Sequence, residues 1–305
     1  MIGIIVLNYN TSEETQNCIA SIRKNTKSDY MIYLVDNRSS DECRKKIFCS
    51  YHNSGDVKLI FSDKNLGYSG GNNLGTVEAI KDGADKLLIV NSDVVFNNDV
   101  ATILASCIKD DVAIAGPQVR RSDETNGQLM MHTYSFKYAI ADRQPFAWLA
   151  SHLNINNAYI NAGDKDLIFD GMVSGCCFIA DTVITVGGKL FDDNTFLYSE
   201  ERIMGLKLKK RRLKVEYCPE AKIHHLEGKS TGGSNPFADY HRYASDYYCL
   251  VKYGNLTALQ RITLKYLRLF NFKIKSLNDN AYKDKYYQLK KKYNEIDHGN
   301  YKITF

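Results

Sequence analysis

The chain opens on an uninterrupted apolar run, Ile2-Gly3-Ile4-Ile5-Val6-Leu7, followed at once by the polar Asn8-Tyr9-Asn10. A short run with no polar interruption reads as a strand buried on both faces. Thr11-Ser12-Glu13-Glu14 then has the spacing of a capping box, with Thr11 as N-cap and Glu14 reaching back. Cys18, Ile19 and Ile22 follow at helical spacing. The alternation continues: a β-prone run from Met31 to Val35 ends at Asp36-Asn37, and a helix is expected from Asp41 to Cys49. Val57 to Phe61 predicts a third strand and Asn73 to Asp82 a helix. Lys86 to Val90 predicts a fourth strand ending at Asn91-Ser92-Asp93, and Asp99 to Lys109 another helix. Strands separated by helical patterns predict a mostly parallel sheet with right-handed crossovers. Ligands of such sheets bind beyond the carboxyl ends of the strands, so the three polar clusters are expected on one rim.

The stretch from Gln118 to Asp170 loses this regularity and reads as loops and short strands over the rim. Beyond it, the small residues Ser174-Gly175-Cys176-Cys177 precede an expected helix near Asp181 to Val186. Glu200 to Arg211 predicts a further helix and Lys214 to Tyr217 a strand. On a helix over 256 to 270, Arg261, Lys265 and Arg268 share one stripe, with Leu256, Leu259, Tyr266, Leu267 and Phe270 opposite. Tyr282, Tyr286, Leu289 and Tyr293 repeat at helical spacing beside Lys290-Lys291-Lys292. Two amphipathic helices are expected. Their apolar faces would pack on the body or on a second copy, leaving the basic groups to water or to an anionic membrane. No internal repeat or Gly/Ser-rich linker interrupts the chain, and four prolines argue against freely jointed domains.

With 305 residues, 44% of them hydrophobic and 25% charged, the chain has material for a large α/β domain plus an appendage. That composition excludes dominant disorder, collagen and coiled coil. No apolar run approaches the roughly 18 to 20 residues of a transmembrane helix. The first run lacks a basic segment before it and a small-residue cleavage site after it, so a strand is expected there in place of a signal peptide. Eight scattered cysteines without a CxxC pair are expected to be reduced thiols of a cytoplasmic protein. The net charge of +5 is uneven: residues 255 to 305 hold 11 Lys/Arg against 4 Asp/Glu, leaving 29 against 31 in the rest. A basic tail of this kind suits nucleic acid or an anionic membrane surface.

An acid placed where Asp93 stands, with a second donor nearby, suits Mg²⁺ or Mn²⁺ bridging a diphosphate, although turn-forming alone also explains an aspartate there. The segment Asn65-Leu66-Gly67-Tyr68-Ser69-Gly70-Gly71-Asn72-Asn73-Leu74-Gly75 is rich in Gly and Asn and leads into a helix whose N-terminus favours phosphate. It is not GxGxxG, it follows the third strand, and no GxxxxGK[ST] exists, so nicotinamide and P-loop readings fail. His224-His225 end a β-prone stretch, one expected to face the core and the other solvent. Glu200-Glu201 open a helix, where acids complement the dipole and where a general base would also fit.

Taken in order, these clusters resemble the inverting family 2 glycosyltransferases of GT-A (Rossmann-like) fold, particularly the rhamnosyltransferase-like branch that builds bacterial surface polysaccharides. The resemblance is carried by Ile5 to Asn10, Val35-Asp36-Asn37-Arg38-Ser39, Asn65 to Gly75, Asn91-Ser92-Asp93, Val173-Ser174-Gly175, Phe196 to Glu201, and His225-Leu226-Glu227-Gly228-Lys229-Ser230. It spans about residues 2 to 233. The basic helical appendage expected at 241–305 rests on the charge and helical spacing alone. The resemblance implies a mostly parallel central sheet flanked by helices, with a nucleotide-sugar half near 1–117 and an acceptor half near 118–240. It implies that Asn8, Asn10, Asp36, Asn37 and Ser39 hold the donor's base and ribose, joined by Asn65, Gly71, Asn72, Asn91 and Ser92. Asn91 stands where the family's metal motif begins with an acid, so Asp93 becomes the main carboxylate ligand, with His225 completing the Mg²⁺ or Mn²⁺ site. Glu201 is the implied base, with Glu200 as the alternative, and Gly175 gives the acceptor room. The implied partners are a nucleoside-diphosphate sugar and a saccharide or lipid-linked acceptor. From the tail itself, peripheral contact with an anionic membrane and a homodimer through the C-terminal helices are expected, and a nucleic-acid partner is not. Two other classes stay open: a nucleotidyltransferase, which would release pyrophosphate, and a non-enzymatic module binding sugars or polyanions.

Overall fold

The computed structural model describes residues 1–123, 125, 127, 130–141, 146–152, 159–160, 162–226, 235–277 and 279–303. The expected alternation is present as β1 (Ile2–Asn8), α1 (Ser12–Asn25), β2 (Tyr30–Asp36), α2 (Asp41–Tyr51), β3 (Val57–Phe61), α3 (Gly67–Lys81) and β4 (Lys86–Asn91). Next come β5 (Val94–Phe96), α4 (Val100–Cys107) and β6 (Val112–Arg121). The irregular stretch holds β7 (Met130–His132), two short helices that the sequence did not announce, α5 (Phe136–Ala141) and α6 (Phe146–His152), then β8 (Tyr159–Ile160), β9 (Leu167–Phe169) and β10 (Gly171–Met172). β11 (Cys177–Asp181), α7 (Glu200–Arg211) and β12 (Lys214–His225) complete the body, and α8 (Pro236–Tyr253), α9 (Ala258–Ser276) and α10 (Asn280–Asp297) follow.

Among the described residues the main sheet runs β3-β2-β1-β4-β11-β6-β12-β5, with β9 added on β12. β1, β2, β3 and β4 pair in parallel, as do β6 and β12, whereas β11 runs antiparallel between β4 and β6. The continuous apolar runs have their cause here. Ile4, Ile32 and Leu88 pack into one core cluster, while Ile5, Tyr33 and Ile89 pack into the cluster on the opposite face. β11 corrects the expected helix at Asp181 to Val186, of which only a 3-10 turn, Thr182–Ile184, exists. Cys177 to Ala180 are all buried and pair with β4, so the backbone is satisfied in the sheet and the chain leaves it only at Asp181.

Two further expectations are revised. α3 starts six residues earlier than its apolar period suggests, so most of the Gly/Asn segment is helix. Its glycines let the helix lie against the sheet: a Cβ at Gly71 would sit 2.6 Å from Leu7 Cδ1, and one at Gly75 2.6 Å from Ile5 Cγ2. Thr11 precedes α1 but its side chain makes no cap bond, because its hydroxyl is turned towards the strand ends.

The C-terminal helices share a third core cluster with Tyr134, Ala139 and Ile203 of the body, and the expected boundary at 240/241 falls inside α8. α10 buries Leu289 and Tyr293 as its spacing predicts. α9 is the reverse of its expected orientation. Arg268 is fully buried and paired with Asp246 at 3.0 Å, and Lys265 reaches Asp297 at 2.7 Å, while Leu259, Tyr266 and Phe270 face outward. Leu264, Leu269 and Phe272 fill the same inward face, so the basic groups share the core side of α9 with apolar ones and meet Asp246 of α8 and Asp297 of α10 there. Among the described residues no helix is long and apolar enough to cross a membrane.

Candidate active site

Asn8 ends β1 with no exposed surface and joins three elements. Its amide donates to Asp36 Oδ2 at 2.8 Å and Ser39 Oγ at 3.1 Å. Its Oδ1 accepts from the Thr11 and Thr15 hydroxyls at 3.1 and 3.0 Å. Thr11 Oγ1 is in turn 2.9 Å from Ser92 Oγ at the end of β4. The strand ends thus converge as expected, but Asn8 spends its polar atoms on protein and acts by shaping the rim. Asp36 and Ser39 are equally buried, with Arg44 3.5 Å from the Asp36 carboxylate. Asn10 is exposed, held in the left-handed region (φ 59°), and its side chain accepts from the Ser40 amide.

Asn37 is a second hub. Its amide reaches Asn65 Oδ1 and the Gly67 carbonyl, and its Oδ1 accepts from the Leu66 amide at 2.9 Å. Asn65 Oδ1 also accepts from the Gly67 amide, so Asn37 and Asn65 together secure the start of α3. Gly71 faces Leu7 and Asn37. Asn72 is fully buried, its amide donating to the Tyr68 carbonyl and its Oδ1 having no hydrogen-bond partner among the described residues. A buried orphan acceptor costs about 1–3 kcal/mol, which a ligand hydroxyl would relieve.

The antiparallel pairing of β5 with the end of β12 sets Asp93 beside His225, Oδ1 to Nε2 3.2 Å. Burial by itself would lower the imidazole pKa, but the bond to Asp93 and the nearby Cys176 reverse this and raise it to about 10. His224 turns to Asn97 at the sheet edge, 2.8 Å away, so neither histidine is sealed in the core. A cation that displaced the proton His225 Nε2 shares with Asp93 would find one oxygen and one nitrogen there, and diphosphate oxygens with water would complete the sphere that Mg²⁺ or Mn²⁺ requires. The pair fits such a shared site and not a site made of protein alone: among the described residues no three His, Cys, Asp or Glu gather to hold a metal. Asn91 donates its backbone amide to the Cys176 carbonyl at 2.8 Å, which ties this corner to Gly175. The Glu227 to Ser230 part of the expected motif lies outside the described residues.

Glu200 and Glu201 open α7 as predicted, in different surroundings. Glu200 is buried, 3.4 Å from the Ser69 hydroxyl, which also contacts Thr195. Burial and the adjacent Glu201 charge lift its carboxyl from 4.5 to about 8. Glu201 is partly exposed and lies under Gly175, where an added Cβ would sit 2.3 Å from its Oε1. Burial raises Glu201 too, but its own backbone, the Arg202 charge and the Gly175 backbone oppose that rise. Tyr68, which sequence reasoning passed over, fixes the Gly175 loop by donating to its carbonyl at 2.6 Å.

A second missed feature lies just before the pair. Tyr198 and Ser199 both have positive φ, 69° and 68°, which is strained backbone for side-chain-bearing residues. Ser199 Oγ donates to Asp246 Oδ1 at 2.6 Å, Arg202 reaches the same oxygen at 2.6 Å, and Arg268 takes the other at 3.0 Å. Nothing local in the sequence signals this, because Asp246 is 47 residues from Ser199.

A mostly parallel central sheet flanked by helices, with β11 inserted antiparallel in its interior, matches the GT-A glycosyltransferase fold. The chain belongs to glycosyltransferase family 2, whose model matches residues 3–168. It is 32% identical over 99 residues to the low-salt glycan biosynthesis hexosyltransferase Agl10 of Haloferax volcanii, covering 32% of this chain and 29% of that protein. In structure it resembles GalNAc-T7 with UDP, GalNAc and Mn²⁺ (TM-score 0.56, 14% identity, 88% of this chain and 54% of that one). It also resembles residues 1–349 of Staphylococcus aureus TarS with UDP-GlcNAc (TM-score 0.56, 11% identity, 97% and 81%). The chain thus spans under a third of Agl10 and about half of GalNAc-T7.

Proposed function

We propose that this protein transfers a hexosyl group, with inversion, from a nucleoside-diphosphate sugar to a hydroxyl of a saccharide or lipid-linked acceptor. The observation that carries the proposal is the placement of a partly exposed carboxylate, Glu201, against Gly175 on the same rim as the Asp93–His225 pair. The acceptor oxygen attacks the anomeric carbon, the bond from that carbon to the diphosphate breaks, and the acceptor proton passes to Glu201. Glu200 holds its proton and positions the start of α7 with Ser69. Asn37 and Asn65 secure the start of α3, while Asn8 holds Asp36 and Ser39 in place beneath the base and ribose. Asp93 and His225 are the residues that would hold a divalent cation, which would supply positive charge beside the leaving diphosphate. The narrower form of the proposal is rhamnosyl transfer in bacterial surface polysaccharide assembly, by a cytoplasmic protein held peripherally at the inner face of the cell membrane.

A panel of nucleotide sugars scored by thermal shift with and without Mn²⁺ tests this reading. A uridine or deoxythymidine diphosphate sugar should raise Tm only with the metal, and Asp93→Ala should lose both that shift and turnover while melting like the wild type. Release of pyrophosphate in place of nucleoside diphosphate, or full turnover of Asp93→Ala in chelator, would overturn it.

A further inference from the structure

On α9, Leu259, Ile262, Tyr266, Phe270 and Ile274, continued by Leu277 just past its end, are between 47% and 74% exposed. At 100° per residue the six fall within an arc of about 120°. Lys273 lies inside that arc, and Arg261, Lys265 and Arg268 lie on the far side, turned to the carboxylates beneath. α9 already buries an inward face made of Leu264, Leu269 and Phe272 with Arg268 among them, so the outward stripe is a second apolar face, which an ordinary surface helix does not carry. We propose that this outward face of α9 lies in the surface of an anionic membrane. The inference deepens the membrane placement proposed above and rests on it, but it moves the contact from the basic stripe to the apolar one.

Two features select lipid over a second copy of the chain. From residue 259 to 277 the stripe is about 27 Å long and one helix, about 10 Å, wide. That is about 300 Å² of face, well under the roughly 800 Å² that each partner of a stable complex contributes. The charge points the same way. Residues 255–305 carry 11 Lys/Arg against 4 Asp/Glu, and Lys273, Lys283, Lys290 and Lys291 are exposed. A two-fold pairing sets this surplus against itself, whereas anionic headgroups attract it. Tyr266 in the stripe is also of the residue type that favours the lipid–water boundary.

Co-sedimentation of the full chain with phosphatidylcholine vesicles, with and without phosphatidylglycerol, tests the proposal without any sugar donor. Wild type should pellet with the anionic vesicles at low salt and far less with the neutral ones. The double variant Tyr266→Ser/Phe270→Ser should lose about tenfold or more of that binding. Both side chains point outward, so its melting temperature and its nucleotide-induced thermal shift should match the wild type. Loss of vesicle binding is thereby separated from misfolding and from failure of the glycosyltransfer reading. The proposal is overturned if wild type stays in the supernatant, if the double variant pellets equally well, or if sedimentation velocity shows a wild-type dimer that the variant converts to monomer.

Discussion

Glu200 faces Ser69, which also contacts Thr195, whereas Glu201, one residue on, faces Gly175, and the roles proposed for the two rest on this difference. Glu201→Gln keeps size and hydrogen bonding and removes only the proton acceptor. Its kcat should fall by roughly 10² to 10⁴ with the nucleotide-induced thermal shift retained. Normal turnover of this variant, with Glu200→Gln inactive instead, would reverse the assignment. Glu200 makes a separate prediction about stability. Unfolded, its carboxyl loses the proton near 4.5; folded, the proton stays until about 8. The native state therefore binds more protons across that interval, and the Glu200 contribution to stability declines as pH rises through it. Glu200→Gln cannot ionise, so melting curves should show it gaining on the wild type as pH rises through this window. A gap independent of pH would mean that Glu200 is already ionised in the fold.

At the scale of elements, the Tyr198–Ser199 turn shows what sets the Glu pair in place. Two left-handed residues in succession cost about 1–3 kcal/mol each and persist only where their surroundings hold them. The holder is Asp246 of α8, which bonds Ser199, Arg202 and Arg268. Asp246→Ala leaves Arg268, with no exposed surface, facing no carboxylate there, and should cost about 3–5 kcal/mol in urea unfolding. Ser199→Ala removes one bond and no charge. It should lower kcat while leaving the nucleotide-induced shift unchanged; equal kcat would leave Asp246 a purely structural residue. What was legible in the sequence follows from the same distinction. β1 to β4 could be read because strands buried on both faces need continuous apolar runs, and α7 could be read from its acidic start and basic end. The early start of α3 was not legible, since Gly70, Gly71 and Gly75 weaken a helix by roughly 1 kcal/mol each unless close packing requires them. The orientation of α9 was not legible either, because the partners of Arg268 are 22 and 134 residues away.

At the scale of the molecule, the question is whether the C-terminal helices form an appendage or part of one core. Tyr243 on α8 packs edge-on against Phe272 of α9, centroids 5.1 Å apart, and Tyr247 stacks on Tyr293 of α10 at 4.2 Å. Asp239, with no exposed surface, is met by Lys275 of α9 at 2.5 Å and Tyr282 of α10 at 2.8 Å. The same α8 supplies Asp246 to the turn before Glu200 and, through Tyr248, a 2.6 Å bond to Asp192 in the loop that precedes α7. Removing everything after Gly254 would strip α8 of aromatic partners worth about 3–5 kcal/mol apiece. It would also leave Asp239 and Asp246 without Lys275 and Arg268. Against a total stability of about 5–15 kcal/mol, a loss of that size should not leave a folded catalytic body. The chain ending at Gly254 should therefore be insoluble, or lack the cooperative thermal transition of the full chain in circular dichroism. A truncated protein that melts like the full chain would instead make α9 and α10 a detachable unit. The turn before Glu200 would then be held without Arg268, and membrane contact through α9 would be mechanically separate from the active site.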